Sequence, residues 1–313
     1  MITLLFHYTS QKGFEGIVKE DGIHLWFSDA MYLNDSNEII DAKTYLDRAA
    51  KELFDEKQIS EEVYNKILGI KYTPLKFDGI KTTTNKGSTF TFEVTSSNYD
   101  KYVCCFSKDS DSLPMWNYYL KNDENGFAVG LDFENLDSSN CTVTGSVVDH
   151  SCFNLSTTIE TMVYNETEKI ELFKSEILDY SKDYNNRTQP EKIVATVSFQ
   201  QAFENLSLKF KDYHFAYENE ARLISTVRNS GNNEIEGKKR DDIKFRLSHG
   251  LAIPYFELLI PNKEILKAIS ISPKIGLNTD NDSLTLAMKK YLRNLGYSHQ
   301  IDINCSEIPL RYY

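Results

Sequence analysis

Three short stretches near the start of the chain end apolar runs with chemically capable side chains: Phe6-His7-Tyr8-Thr9-Ser10, Phe27-Ser28-Asp29 and Leu33-Asn34-Asp35-Ser36-Asn37-Glu38. Far downstream, Tyr217-Glu218-Asn219-Glu220-Ala221-Arg222 places two carboxylates and a guanidinium ahead of the apolar Leu223-Ile224. Such runs read as strands. A fold has no need of a histidine, several hydroxyls and an Asn-Asp-x-x-Glu step at strand ends, whereas a site does. The two regions point to one cleft.

In an extended segment His7 and Thr9 share one face and Tyr8 takes the other. An imidazole and a hydroxyl on one face can bond a ribose diol, because each donates and accepts. Equally, Thr9 or Ser10 can cap the next helix and His7 can be a satisfied core side chain. Ser28-Asp29 can hold a sugar or an amide, or form a turn. Asn34 and Asp35 are candidates for acceptor or phosphate contacts and also make a good helix N-terminus. In Met115-Trp116-Asn117-Tyr118-Tyr119, a helical turn puts Trp116 and Tyr119 on one side, as core or as a sandwich for a flat ring. Glu218, Glu220 and Arg222 would share one strand face, where burying three ionisable groups is costly. A surface ladder is the alternative, but the apolar continuation argues for a central strand.

Such a set is suited to glycosyl transfer from NAD. Cleavage of the nicotinamide–ribose bond builds positive charge on the ribose, which a carboxylate stabilises as in glycoside hydrolysis. Glu220 fits that role, and Glu218 could orient or deprotonate the acceptor. No metal is required, and no metal-ligand spacing is present.

The elements that must carry these residues follow from periodicity. Strands are expected at residues 2–8, 23–28, 102–107, 221–227, 255–260, 269–272 and 299–304. Helices are expected from 11 to 20, after Asn34 or Asp35 along the stripe Leu46, Ala49, Ala50 and Leu53, at 60–70, around Met115, at 157–182, at 190–215 and at 281–295. Residues 126–133 and 141–148 read as an antiparallel pair. There is no repeat, no convincing linker and no glycine-rich phosphate loop after a strand. The expected class is α+β, a mostly antiparallel split sheet with flanking helices. One domain spans residues 1–313, with helical and loop insertions at 36–100 and 157–215.

A chain of 313 residues with 41% hydrophobic content can bury a substantial core. Its net charge of −11 argues against general coating of duplex DNA, which favours basic proteins. Lys238-Lys239-Arg240 is the tightest basic run. The five cysteines form no C-x-x-C pair, which fits a reducing cytoplasm. The short apolar run before His7 reads as neither signal peptide nor membrane span.

The ordered pieces F-H-Y-T-S, L-N-D-x-x-E, C-F-S, M-W-x-x-Y, Y-E-x-E-x-R and S-x-I-P-L-R, from Phe6 to Arg311, resemble the bacterial domain of unknown function family 2971. A second resemblance is to ADP-ribosyltransferases, including bacterial toxins that modify nucleic acids. Those enzymes place a His or Arg on a first strand, a hydroxyl or Tyr on a second, and a Glu on a later one. That resemblance implies His7 and Glu220 as catalytic groups, Ser28 or Tyr32 at the second-strand position, and Glu218-x-Glu220 as an E-x-E pair. The implied ADP-ribosyltransferase-like core would bind NAD through His7, Tyr8, Thr9, Ser28, Trp116 and Tyr119. Arg222 and Arg311 would meet phosphates. The implied role is a toxin or phage-defence effector acting on RNA or protein, with an antitoxin or chaperone as partner. The alternative is a non-catalytic sensor that recognises a nucleotide, a peptide or a phage component.

Overall fold

The computed structural model describes residues 4–32, 38–70, 80–83, 89–92, 99–120, 125–134, 136, 141–144, 153–182, 184–228, 243–248, 250–273 and 280–308. The fold is mixed α and β, built on a largely antiparallel open sheet. The first strand, β1 (Leu5–Ser10), runs into α1 (Gln11–Ile17), where Ser10 caps the helix by accepting from Gly13 N–H at 3.3 Å. β2 (Val18–Lys19) and β3 (Gly22–Asp29) form a tight hairpin whose turn places Gly22 at φ 140°. Next come α2 (Glu38–Asp55), α3 (Glu61–Leu68), the small hairpin β4 (Ile80–Thr83) and β5 (Thr89–Phe92), β6 (Tyr99–Ser107) and α4 (Leu113–Tyr119). The middle of the chain supplies β7 (Gly126–Leu131), β8 (Thr142–Val143), β9 (Phe153–Thr161), α5 (Glu166–Ser181) and α6 (Gln189–Ser207). The last part holds β10 (Glu220–Arg228), β11 (Lys244–Ser248), β12 (Leu251–Ile260), β13 (Leu266–Ile271), α7 (Asn281–Asn294) and β14 (Asp302–Cys305).

Strand order is β11-β12-β3-β6-β1-β7-β13-β14, with β10 on β6 and β9 on β10. Only β13 and β14 pair in parallel among the described strands. One edge of β6 is paired along its length by β10, from Glu220↔Ser107 to Arg228↔Tyr99. Its other edge is divided. β3 reaches it at Ser28↔Val103 and Asp29↔Tyr102, and β1 reaches it at Phe6↔Ser107. Two strands thus diverge from β6 around Cys104, Cys105 and Phe106.

One apolar core lies against the sheet, with Leu25, Phe27, Phe106, Val129, Leu223, Phe256 and Ile269 buried and α7 packed on it through Met288 and Leu292. A second core is helical. The stripe Ala42, Leu46, Ala49 and Leu53 of α2 meets Ile67 of α3, Phe173 and Ile177 of α5, and Phe199 and Phe203 of α6. Ala30, Val103, Leu208 and Ile224 form a small cluster near the end of α6.

Three expectations need correction. The antiparallel pair expected of 126–133 and 141–148 is not seen among the described residues, 145–148 lying outside them. β7 is buried along its whole length between β1 and β13, and β8 pairs with β12. The stretch from 157 to 161 is strand rather than helix. Its run Thr157-Thr158-Ile159-Glu160-Thr161 is rich in β-branched residues and pairs with β10, so α5 begins only at Glu166. The expected helix at 190–215 ends at Ser207, and a 3₁₀ turn follows at Tyr213–Glu218. β11 has no counterpart among the expected strands. Lys238-Lys239-Arg240 lies outside the described residues. Among the described residues no helix is long and apolar enough to cross a membrane.

Candidate functional site

The divided edge of β6 opens into a cavity of about 640 Å³. Its walls include Phe6 to Ser10 of β1, Leu25, Trp26 and Ser28 of β3, Tyr32, Val103 to Ser107 of β6, Met115 and Tyr119 of α4, Glu218, Glu220, and Arg246 of β11. Another cavity, about 560 Å³, opens near the start of α6 and includes none of the candidate residues.

His7 donates Nδ1–H to the carbonyl of Cys105 at 2.9 Å, which leaves Nε2 unprotonated while the ring is neutral. Burial lowers its pKa, the carbonyl bond opposes this, and the nearby Arg246 charge lowers it further, so the neutral ring is favoured. Ser28 accepts from Arg246 at 3.0 Å. Tyr8 lines the cavity, but its hydroxyl donates to the Asp109 carbonyl at 2.8 Å and accepts from Ser112 N–H at 3.0 Å. That hydroxyl is therefore engaged in holding the loop before α4.

Asn219 sits in the left-handed region, at φ 43° and ψ 49°, which asparagine tolerates better than most residues. The turn places Glu218 before β10 rather than on it. Both flanking carboxylates nevertheless reach one ammonium. Lys211 Nζ donates to Glu218 Oε2 at 2.5 Å and to Glu220 Oε2 at 2.6 Å. Arg222, on the same strand face as Glu220, donates Nε–H to Glu220 Oε1 at 2.8 Å. Its NH1 donates to the Leu208 carbonyl at 3.0 Å. The Cys105 thiol of β6 also helps to hold the Glu220 carboxyl below its ordinary value. All four charged side chains are buried.

The two carboxylates are driven apart electrostatically. Burial pushes Glu220 up, but Arg222 and Lys211 more than offset it and hold the group at about 2, fully ionised. Burial also pushes Glu218 up. There Lys211 only partly compensates and the charge of Glu220 adds to the rise, so the net shift is upward. Burial, reinforced by the charge of Glu220, raises the Cys105 thiol well above its ordinary range and keeps it protonated.

Of the expected site residues, the cavity brings together His7, Tyr8, Thr9, Ser28, Tyr32, Tyr119, Glu218 and Glu220. Trp116 is fully buried. It packs edge-on against Tyr8 with ring centroids 4.6 Å apart and donates Nε1–H to Asp111, which places it in the core rather than in the cavity wall. The Arg222 guanidinium holds Glu220 and a carbonyl, so its expected role as a phosphate contact gives way to an internal one. Asn34, Asp35 and Arg311 lie outside the described residues.

Sequence reasoning missed Lys211, Trp26, Cys105 and Arg246. The alternation Lys244-Phe245-Arg246-Leu247 was a readable strand signal. Nothing local to Lys211 says that it pairs with carboxylates seven and nine residues away.

A family model described as protein of unknown function (DUF2971) matches residues 115–223. The chain is similar to that family over about a third of its length, from α4 to β10. The matched stretch contains Lys211, Glu218, Glu220 and Arg222, while His7 and Ser28 lie outside it. No curated protein and no solved structure matches the chain.

Proposed function

We propose that the chain is an ADP-ribosyltransferase-like enzyme that takes NAD as substrate and transfers ADP-ribose to a macromolecule, RNA or protein. One observation carries this reading. His7, Ser28 and Glu220, which the transferase resemblance pairs across more than two hundred residues of sequence, line one cavity. The division of β6 between β1 and β3 is also compatible with a split-sheet core of that type.

In the reaction the bond between ribose C1′ and nicotinamide N1 breaks. Its electron pair leaves with nicotinamide, which departs neutral. The ionised Glu220 opposes the positive charge developing on the ribose. A lone pair on the acceptor forms the new bond to C1′, and Glu218, whose proton affinity is raised, takes the acceptor's proton. His7 and Thr9 bond ribose hydroxyls, and Tyr119 lines the ring pocket. A cytoplasmic toxin or phage-defence role, with an antitoxin or chaperone partner, belongs to the same proposal and rests on the resemblance.

The test is incubation with adenylate-labelled NAD and a cell lysate. Transfer of label to RNA or protein, lost in Glu220→Gln while circular dichroism is unchanged, is the expected result. Full activity in that variant would overturn the assignment of Glu220. A second reading, a nucleotide sensor that does not turn over its ligand, is favoured by the engagement of both Glu220 oxygens with Lys211 and Arg222. Thermal stabilisation by NAD with no release of nicotinamide would select it.

A further inference from the structure

The chain has two tryptophans, and they sit in opposite environments. Trp116 is fully buried, whereas Trp26 is 46% exposed and lines the cleft. The Trp26 ring stacks on Tyr255 with centroids 4.5 Å apart and planes 30° from parallel. Tyr255 is itself buried, so one face of the indole is braced while the ring still borders the cavity.

α1 lines the same cavity and carries two glycines. Gly13 is explained by packing, since a Cβ there would lie 1.8 Å from Thr9 Oγ1. Gly16 is not. Among the described residues a Cβ at Gly16 would meet nothing within 4 Å, and a glycine in a helix is destabilising relative to alanine. Packing among the described residues does not require this glycine, and its bare surface lets a ligand lie close against the helix. Lys12, one turn earlier on the same face, also lines the cavity, as does Arg246. A braced indole, a bare helical surface and two cations bordering one cavity complement a flat ring joined to an anion.

We propose that this part of the cleft is a nucleobase-stacking subsite. A base stacks on Trp26 against the Gly16 surface of α1, and its phosphate is met by Lys12 and Arg246. The base belongs either to a free nucleotide or to an unpaired position of a single-stranded nucleic acid. In the second case the subsite would name the acceptor class of the transferase, and that step alone rests on the transferase reading.

The experiment is a titration of the full chain followed by tryptophan fluorescence, with AMP, a short single-stranded oligoadenylate, and ribose 5-phosphate as the control without a base. Calorimetry on Trp26→Ala and Gly16→Leu accompanies it. Base-bearing probes quench the fluorescence and ribose 5-phosphate does not. Both variants bind the base-bearing probes at least about tenfold more weakly. Gly16→Leu keeps an unchanged or higher Tm, which separates a blocked subsite from a damaged fold. Equal affinity for AMP and the oligonucleotide assigns the subsite to free nucleotides, and much tighter oligonucleotide binding assigns it to nucleic acid. The proposal is overturned if neither base-bearing probe binds, if ribose 5-phosphate binds as AMP does, or if folded Gly16→Leu binds the base-bearing probes like the native chain. None of these readouts requires NAD cleavage, so the Glu220→Gln result stands or falls separately.

Discussion

Two carboxylates, Glu220 on β10 and Glu257 on β12, are each held at about 2 by surrounding donors, yet they sit in different kinds of cluster. Burial pushes Glu257 up, and hydrogen bonds from Lys244, His24, Lys19 and Thr144 bring it down. Its two lysine side chains are 35% and 39% exposed, so water shares the solvation of the charges. Around Glu220, the Lys211 and Arg222 side chains are only 9% and 2% exposed. The Glu257 cluster ties β2, β3, β11 and the end of β8 to β12 and takes no part in the wall of the large cavity. The Glu220 cluster is part of that wall. Similar chemistry thus serves as a partly hydrated strut between strands in one place and as a buried, charge-balanced wall in the other. Solvent access makes the difference.

The comparison is broken most sharply by removing one cation from each cluster. Lys211→Met should destabilise the fold by about 3–5 kcal/mol, because it removes the ammonium that two buried carboxylates share. Lys244→Met should cost about 1 kcal/mol or less, because Lys19, His24, Thr144 and water still serve Glu257. Urea unfolding of both variants reads the difference, and equal costs would erase the distinction. Activity gives the next contrast. On the proposed transferase reading, Glu220→Gln should lower nicotinamide release by roughly a hundredfold or more, whereas Glu257→Gln should leave it within about twofold. Equal losses would reassign catalysis away from the cavity.

Acid sharpens the comparison further. Both carboxylates lie below their ordinary value of 4.5 in the folded chain. The stability each contributes is therefore full above about pH 4.5 and lost as pH falls towards about 2. Unfolding free energy measured across that window should fall in the native chain. It should fall less steeply in Glu257→Gln, which keeps the Glu220 contribution. The smallest effect concerns a buried group with no partner. Ser225 Oγ on β10 is buried with no hydrogen-bond partner among the described residues. Ser225→Ala should raise stability by about 1 kcal/mol, read as an increase in Tm.

Much of the local structure was legible from the chain. The apolar run before His7, the stripe from Ala42 to Leu53 and the alternation around Leu223 each impose their own period, because side-chain direction follows backbone geometry. The polar residues at the ends of β1 and β3 and the carboxylates beside β10 were legible for the same reason. Pairing was not. Whether β7 meets β8 or lies between β1 and β13 depends on contacts across most of the chain, and the spacing of residues 126–148 carries no trace of it. Trp116 illustrates the same limit, since helical spacing set it near Tyr119 but only packing against Tyr8 showed which of the two faces the core. The sequence by itself determined which residue types stand at strand ends. The tertiary structure alone decided that β1 and β3 divide one edge of β6, that Lys211 joins Glu218 to Glu220, and that Trp26 and Arg246 border the resulting cavity. Period is a property of neighbours along the chain. Burial, charge pairing and cavity shape arise from residues that are distant in sequence and meet only on folding.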